Sequence, residues 1–312
     1  MQFRTLSSIV TCAAMFAMSC TVLAETPGTR SPKTLFLDDE HIAEMTGLKR
    51  LMHRPVKKGP VFVPRGETDG IRVQTASAPV WVPEENVFKL FYMGFPYRNH
   101  RWIVGEIGSA LAKSPNGLNW ERPVLNEVEI GGSTANNWFS VVDPNLRWGG
   151  NKLMEVIHDP HDPDSQRRYK GLLGASGRKP VVGPDGIHWK TIGAKTIPSS
   201  DTSTLIYDEP SKRYLAVLKN GTKFGRSAAV AFSTDFKTWT SPRTTFHTDD
   251  KDQRIALVRI QSRLADPNMQ NPMFNDPHPE TGWTPPGFDP GIGKSRIPTW
   301  RAETYKLAVF PY

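Results

Sequence analysis

Cysteine is almost missing from this chain: Cys12 and Cys20 are the only two, and none follows residue 20. The rest of the chain therefore has no disulfide framework, no thiolate chemistry and no cysteine-based zinc site. Long helical patterning is missing too, since only 39–52 keeps a weak apolar period, enough for one or two turns. The apolar run at 9–17 is too short for a bilayer. Preceded by Arg4 and followed by Val22-Leu-Ala, it has the order of a secretory signal peptide over residues 1–24, with a cut expected before Glu25. Cys20 lacks the branched residue three positions earlier that lipid attachment uses. The expectation is a secreted or periplasmic domain over 25–312 with no membrane span. Its basic residues are scattered, which together with export argues against nucleic acid as a partner.

Turns and large aromatic anchors are plentiful, with 27 prolines, 25 glycines and 9 tryptophans. Residues 202–207 (Thr-Ser-Thr-Leu-Ile-Tyr) are β-branched and aromatic, suited to a half-buried pleated surface. Residues 208–213 (Asp-Glu-Pro-Ser-Lys-Arg) are turn chemistry, and 214–219 reads as a second strand. Asn220-Gly221 predicts a tight reversal, 228–233 a third strand, and Trp239 the anchor of a short fourth. The closing pattern is repeated: Ser-Pro-Asn-Gly-Leu-Asn-Trp at 114–120, Gly-Pro-Asp-Gly-Ile-His-Trp at 183–189, and Ser-Thr-Asp-Phe-Lys-Thr-Trp at 233–239. Trp120, Trp189 and Trp239 stand 69 and 50 residues apart, each with an aromatic strand upstream, so insertions interrupt a real repeat.

Four short strands closed in this way are the unit of a β-propeller blade. The reading is all-β, with blades over 71–125, 136–195 and 200–245 and a lead-in at 34–63. A fourth blade starts at 305–310 (Tyr-Lys-Leu-Ala-Val-Phe) without its Trp, so a five-bladed ring would need about 80–100 more residues. Between 246 and 303 the pattern dissolves into Pro, Asp, Asn and Gly, as in a long functional or disordered loop. The formal charge of +8 includes one from Arg4, leaving +7 after cleavage. A basic surface of that size suits an acidic polysaccharide and serves solubility equally well.

Four segments carry a resemblance to a known group: 35–42 (Leu-Phe-Leu-Asp-Asp-Glu-His-Ile), 88–93 (Phe-Lys-Leu-Phe-Tyr-Met), 184–189 (Pro-Asp-Gly-Ile-His-Trp) and 305–312 (Tyr-Lys-Leu-Ala-Val-Phe-Pro-Tyr). They resemble secreted bacterial proteins of the five-bladed propeller glycosidase superfamily, which includes glycoside hydrolase families 32, 43, 62 and 68. The likeness is to a family 32-like or 43-like branch of planctomycete-type bacteria. It implies a ring of five four-stranded blades around a funnel of acidic residues; the expected chemistry is carried by carboxylates, with no cofactor assigned. One carboxylic acid would protonate the leaving oxygen while another acts as nucleophile or base. Asp143, in Val-Val-Asp-Pro-Asn, resembles the Asp-Pro element that stabilises the transition state in family 32. Asp201 opens the inner strand of the third blade, and Glu303 precedes the Tyr305 strand as a candidate acid. Each of the three also reads as a turn or cap residue.

Lys219 and Arg226 flank the Asn220-Gly221 pair and are candidates for holding a carboxylate or sulfate. Trp138 and Trp300 are candidates for stacking a sugar ring. His158 and His161, with Asp159 and Asp162, admit a metal site or a solvated loop. The sequence departs from the family in blade one, where 77–82 opens without an acidic residue and only Glu67 and Asp69 lie upstream. The implied function is hydrolysis of an extracellular poly- or oligosaccharide. The alternative is a secreted carbohydrate-binding or scaffolding propeller without catalysis, which the missing carboxylate favours.

Overall fold

In the strand Tyr169–Leu173 every residue is buried, and neighbours face opposite ways. Leu173 packs with Phe91, Leu111, Val156 and Trp189, whereas Leu172 packs with Leu205, Tyr214 and Phe236. A strand whose two faces enter two cores belongs to a sheet stacked between neighbours. The computed structural model describes residues 39, 42–70, 72–95, 97–98, 101–102, 108–141, 152–266 and 302–309. The chain divides into two units at Pro55 and Val56. In the first unit Arg50 pairs with Asp39, and the described part of 39–52 holds no helix, contrary to the weak period there. All elements below belong to the second unit.

Among its described residues that unit is all-β apart from two short helical pieces and one long helix, and its strand ladders are antiparallel. The first repeat pairs Val80–Val82 with Val87–Gly94, and that strand with Gly108–Ser114; a bridge from Lys113 to Glu121 marks its outer edge. The second repeat runs Leu153–His158, Tyr169–Leu173, Ser176–Gly183 and Lys190–Thr191 in that order across the sheet. The third runs Ile197–Asp208, Arg213–Thr222, Gly225–Ser233 and Arg243–Phe246. Pairing of Arg178 with Ile197 joins the second and third repeats into one sheet.

The three Trp motifs have the same geometry. Trp120, Trp189 and Trp239 each donate Nε1 to the carbonyl three residues back, at 3.0, 3.0 and 3.3 Å. Asn116, Asp185 and Asp235 each accept from the backbone N–H groups two and three residues on. This short side-chain cap makes the turn readable from local sequence. Its left-handed position is Gly117, Gly186 and then Phe236, at φ +72°, +86° and +62°. Phe236 stands where the other copies have glycine because its ring is fully buried, 5.1 Å from Tyr214 and 5.6 Å from Trp239. Burying a phenyl side chain is worth about 1.5–3 kcal/mol, enough to offset a left-handed penalty of about 1–2.

Three local expectations change. Asn220 and Gly221 stay inside the strand, paired with Ser227 and Arg226, and the reversal falls at Lys223 and Phe224. The sheet register overrides the turn preference of the dipeptide. Residues 250–265, expected to be loop, form the helix Asp250–Ala265. Asp249 caps it by accepting from Lys251 N and Asp252 N, and the Asp252 side chain in turn accepts from Asp249 N. Ile255, Leu257 and Val258 remain exposed, so no buried apolar stripe announced it. Residues 302–309 carry no strand, although 305–310 reads as one. They run as a strap along the repeats instead.

Candidate functional site

The first strands of the three repeats come together. Val80, Val156 and Leu205 from those strands, with Ala76 from the loop before Val80 and Ala308 and Val309 from the strap, line a cavity of about 570 Å³. Trp81, 41% exposed and 4.7 Å from the Phe88 ring, stands at its edge beside His158 and Tyr207. The other ends of the same strands carry charge, centred on Asp201.

Asp201 lies on a bulge. The pairing jumps from Ser200–Lys219 to Ser203–Leu218, which leaves Asp201 and Thr202 as extra residues. Asp201 has φ +50°, a left-handed conformation that aspartate tolerates better than most side chains. Bulges of this kind re-aim a side chain. The backbone is held from below by Arg178, which is fully buried. Arg178 Nη2 donates to Asp201 O at 2.5 Å, Nη1 to Gly174 O and Gly177 O, and Nε to Ser203 Oγ. Lys152 Nζ adds a second bond to Asp201 O at 2.9 Å. Glu155, also fully buried, accepts through Oε1 from Ser203 N and Ser203 Oγ and lies 3.8 Å from Arg178 Nε.

With its backbone fixed, the Asp201 carboxylate turns toward Lys219, whose Nζ lies 2.5 Å from Oδ2. Lys152 Nζ is 3.8 Å from Oδ1, and Tyr305 Oη donates to Oδ2 at 3.3 Å. Burial alone would raise the pKa of Asp201. The Lys219 hydrogen bond and charge, helped by Lys152 and Tyr305, outweigh it and hold the carboxyl below its ordinary value. Asp201 is therefore a carboxylate and not a proton donor at neutral pH. Its side chain is 45% exposed, so it remains reachable.

Glu303 sits one side chain away along the strap. Arg226 donates to it twice, Nε to Oε2 at 2.7 Å and backbone N to Oε1 at 3.2 Å. The Tyr305 ring bridges the two groups, 3.9 Å from Lys219 Nζ and 4.9 Å from Arg226 Cζ. Of the expected site residues, Asp201, Glu303, Lys219 and Arg226 thus share one cluster. Asp143 and Trp300 lie outside the described residues. Trp138 is buried, packed flat against Gly94 and Gly108 where any side chain would collide with its ring, so neither ring face is open to a sugar.

Asp69 is no substitute for the missing acid of the first repeat. It is fully buried, 2.5 Å from Arg122 and bonded to Tyr92 Oη at 2.7 Å. Of the His-Asp motif, Asp159 and Asp162 belong to a clamp. Buried Lys170 lies 2.7 Å from Asp159 and 2.8 Å from Asp162, and Tyr214 Oη donates to Asp159. No group of three ligating side chains suited to a metal occurs among the described residues. The sequence reading missed Glu155, Arg178, Lys152 and Tyr305. A lone acid within Leu-Met-Glu-Val-Ile-His, an otherwise buried strand, was the available signal, because such a charge requires a buried partner.

His158 gives the fold an acid-sensitive point. Its ring packs 4.8 Å from that of Tyr169, with Glu84 at 3.9 Å and Asp159, Lys89 and Arg168 around it. Burial holds its pKa below the ordinary 6.5, against the opposing pull of Glu84. The unfolded chain then binds the extra proton first, so stability falls as pH drops below about 6.5. Urea midpoints measured at pH 7 and pH 5.5 should differ less in His158→Gln than in the parent. An unchanged difference would show that His158 contributes nothing.

No family model and no curated protein matches this chain. Among solved structures, one titled glycoside hydrolase is 13% identical over 61% of this chain and 57% of its own, with a TM-score of 0.36. A glycosyl hydrolase from Bacteroides ovatus is 14% identical over 62% and 60%, TM-score 0.34. The GH32 β-fructofuranosidase of Bombyx mori is 12% identical over 58% and 36%, TM-score 0.36. The chain spans less than two thirds of the length of these proteins. A likeness this partial assigns nothing to the chain.

Among the described residues, no helix is long and apolar enough to cross a membrane.

Proposed function

We propose that this chain is a secreted five-bladed β-propeller of the glycoside hydrolase kind. Residues 1–24 would direct export, and the protein would cleave a glycosidic bond in an extracellular poly- or oligosaccharide. Three repeats whose first strands line one cavity support the propeller. The observation that carries the function is Asp201, a reachable carboxylate aimed by a left-handed bulge and held ionised by Lys219. Residues kept in sparsely populated backbone conformations cluster at functional sites. An ionised carboxylate suits the nucleophile or base of a glycosidase and excludes the role of acid. Glu303 would have to leave Arg226 before giving up a proton. Asp143 stands as the other candidate.

A binding role without catalysis is the second reading. It rests on both Asp201 and Glu303 being engaged by cations of the chain itself. A glycan panel, screened for released reducing ends and in parallel for retention on affinity gels, separates the two. Release of reducing ends is the expected result. Retention without release selects the binding reading, and neither signal on any glycan contradicts both.

A further inference from the structure

The Glu303–Tyr305 segment sits on the Asp201 cluster as a ligand would. Gly225 has φ +93°, and any side chain there would collide with the Glu303 carboxylate. Beside that bare corner, Arg226 N and Nε give two donors to the two carboxylate oxygens. Two charge-assisted bonds on a planar acid make a specific carboxylate receptor. Next comes a ring, Tyr305, lying over Lys219 and Arg226. Last comes a hydroxyl, Tyr305 Oη, donating to Asp201. Carboxylate, ring and hydroxyl follow one another in the order in which a sugar acid carries them.

This segment is held mainly by side-chain contacts. Among the described residues its other hydrogen bonds are Thr304 N to Arg226 O, Lys306 Nζ to Ala76 O, Thr248 Oγ1 to Ala302 O and the two between Ala302 and Gln253. Residues 302–309 form no strand, so no ladder of backbone bonds has to break for them to lift. Tyr305 is 54% exposed. We propose that 303–305 is an internal ligand. It holds the place of a hexuronate unit, whose carboxylate enters the Gly225–Arg226 corner, whose ring lies over Lys219 and whose hydroxyl meets Asp201. This rests on the carbohydrate reading above and names the substrate class of the same site: a chain of sugar acids, admitted when the strap lifts.

The test is calorimetric titration of the full chain with tetragalacturonate, neutral galactotetraose and a sulfated galactotetraose. Glu303→Gln and Tyr305→Ala should each bind tetragalacturonate about tenfold more tightly than the parent, because removing an internal competitor raises the binding-competent fraction. Arg226→Met should bind it more weakly than either. The neutral and sulfated oligomers should show no such gain. Unchanged or weaker uronate binding in both strap variants overturns the inference, as does an equal gain for the neutral or sulfated oligomer. Thermal unfolding is recorded for each variant; if one fails to fold the other decides. If neither folds, the strap is a structural staple and the inference fails. The outcomes stay separate from the parent reading. Uronate binding without release of any glycan keeps the inference and sinks catalysis, while release from neutral glycans with unchanged uronate affinities does the reverse.

Discussion

Arg178→Met should lower stability by about 3–5 kcal/mol, the range for removing one partner of a fully buried ion pair. For a domain of this size that is a drop in Tm of roughly 10 °C. The size follows from what the side chain leaves behind. Glu155 is fully buried, its Oε2 has no hydrogen-bond partner among the described residues, and Arg178 is its opposing charge at 3.8 Å. Losing the guanidinium also strips donors from four oxygens: Asp201 O, Gly174 O, Gly177 O and Ser203 Oγ. Arg178→Met combined with Glu155→Leu should regain much of the loss, because no uncompensated charge then remains. Urea unfolding of the two singles and the double closes this cycle. A single-variant loss under about 1 kcal/mol would mean that water reaches the pair.

Asp201→Asn should reduce glycan release about a thousandfold, within the span of about 10²–10⁴ associated with a catalytic carboxyl acting on a proton. Its stability should change little by comparison, since the side chain is 45% exposed. The pH dependence carries a sign. Asp201 is held below its ordinary value, so the acidic limb of kcat/KM should fall below about pH 3.9, the usual aspartate range. Removing the main source of that shift, in Lys219→Met, should move the limb upward and cut activity in mild acid first. An acidic limb unmoved by Lys219→Met would show that some other group sets it.

Much of the fold was legible because its signals are local. The Trp turns are written in seven residues each, and the side-chain caps at Asn116, Asp185 and Asp235 close within those residues. The third repeat was readable for the same reason, as β-branched runs between turn residues. What stayed hidden depends on distant partners. Asn220-Gly221 looks like a reversal until Ser227 and Arg226 are paired against it across the sheet. The Asp250–Ala265 helix has a clear cap at Asp249 but exposes its apolar residues, so no burial period marked it.

The site divides in the same way. Asp201, Glu303, Lys219 and Arg226 could be picked out by type and position, and they do meet. The reason they meet could not: a two-residue bulge, a buried arginine at 178 and a strap that returns from more than a hundred residues downstream. Trp138 shows the converse error of scale. An aromatic residue beside a strand suits sugar stacking in sequence, but Gly94 and Gly108 leave room for its ring to sink into the core.

The most direct measurement of the central claim, that the Asp201 cluster is the carbohydrate site, is a crystal structure of Asp201→Asn soaked with an oligosaccharide that the parent binds. The account predicts a sugar ring within hydrogen-bond distance of residue 201 and Lys219, with Tyr305 moved off both. A sugar seated instead in the apolar cavity beside Trp81 and Tyr207, with Tyr305 still covering residue 201, would contradict it.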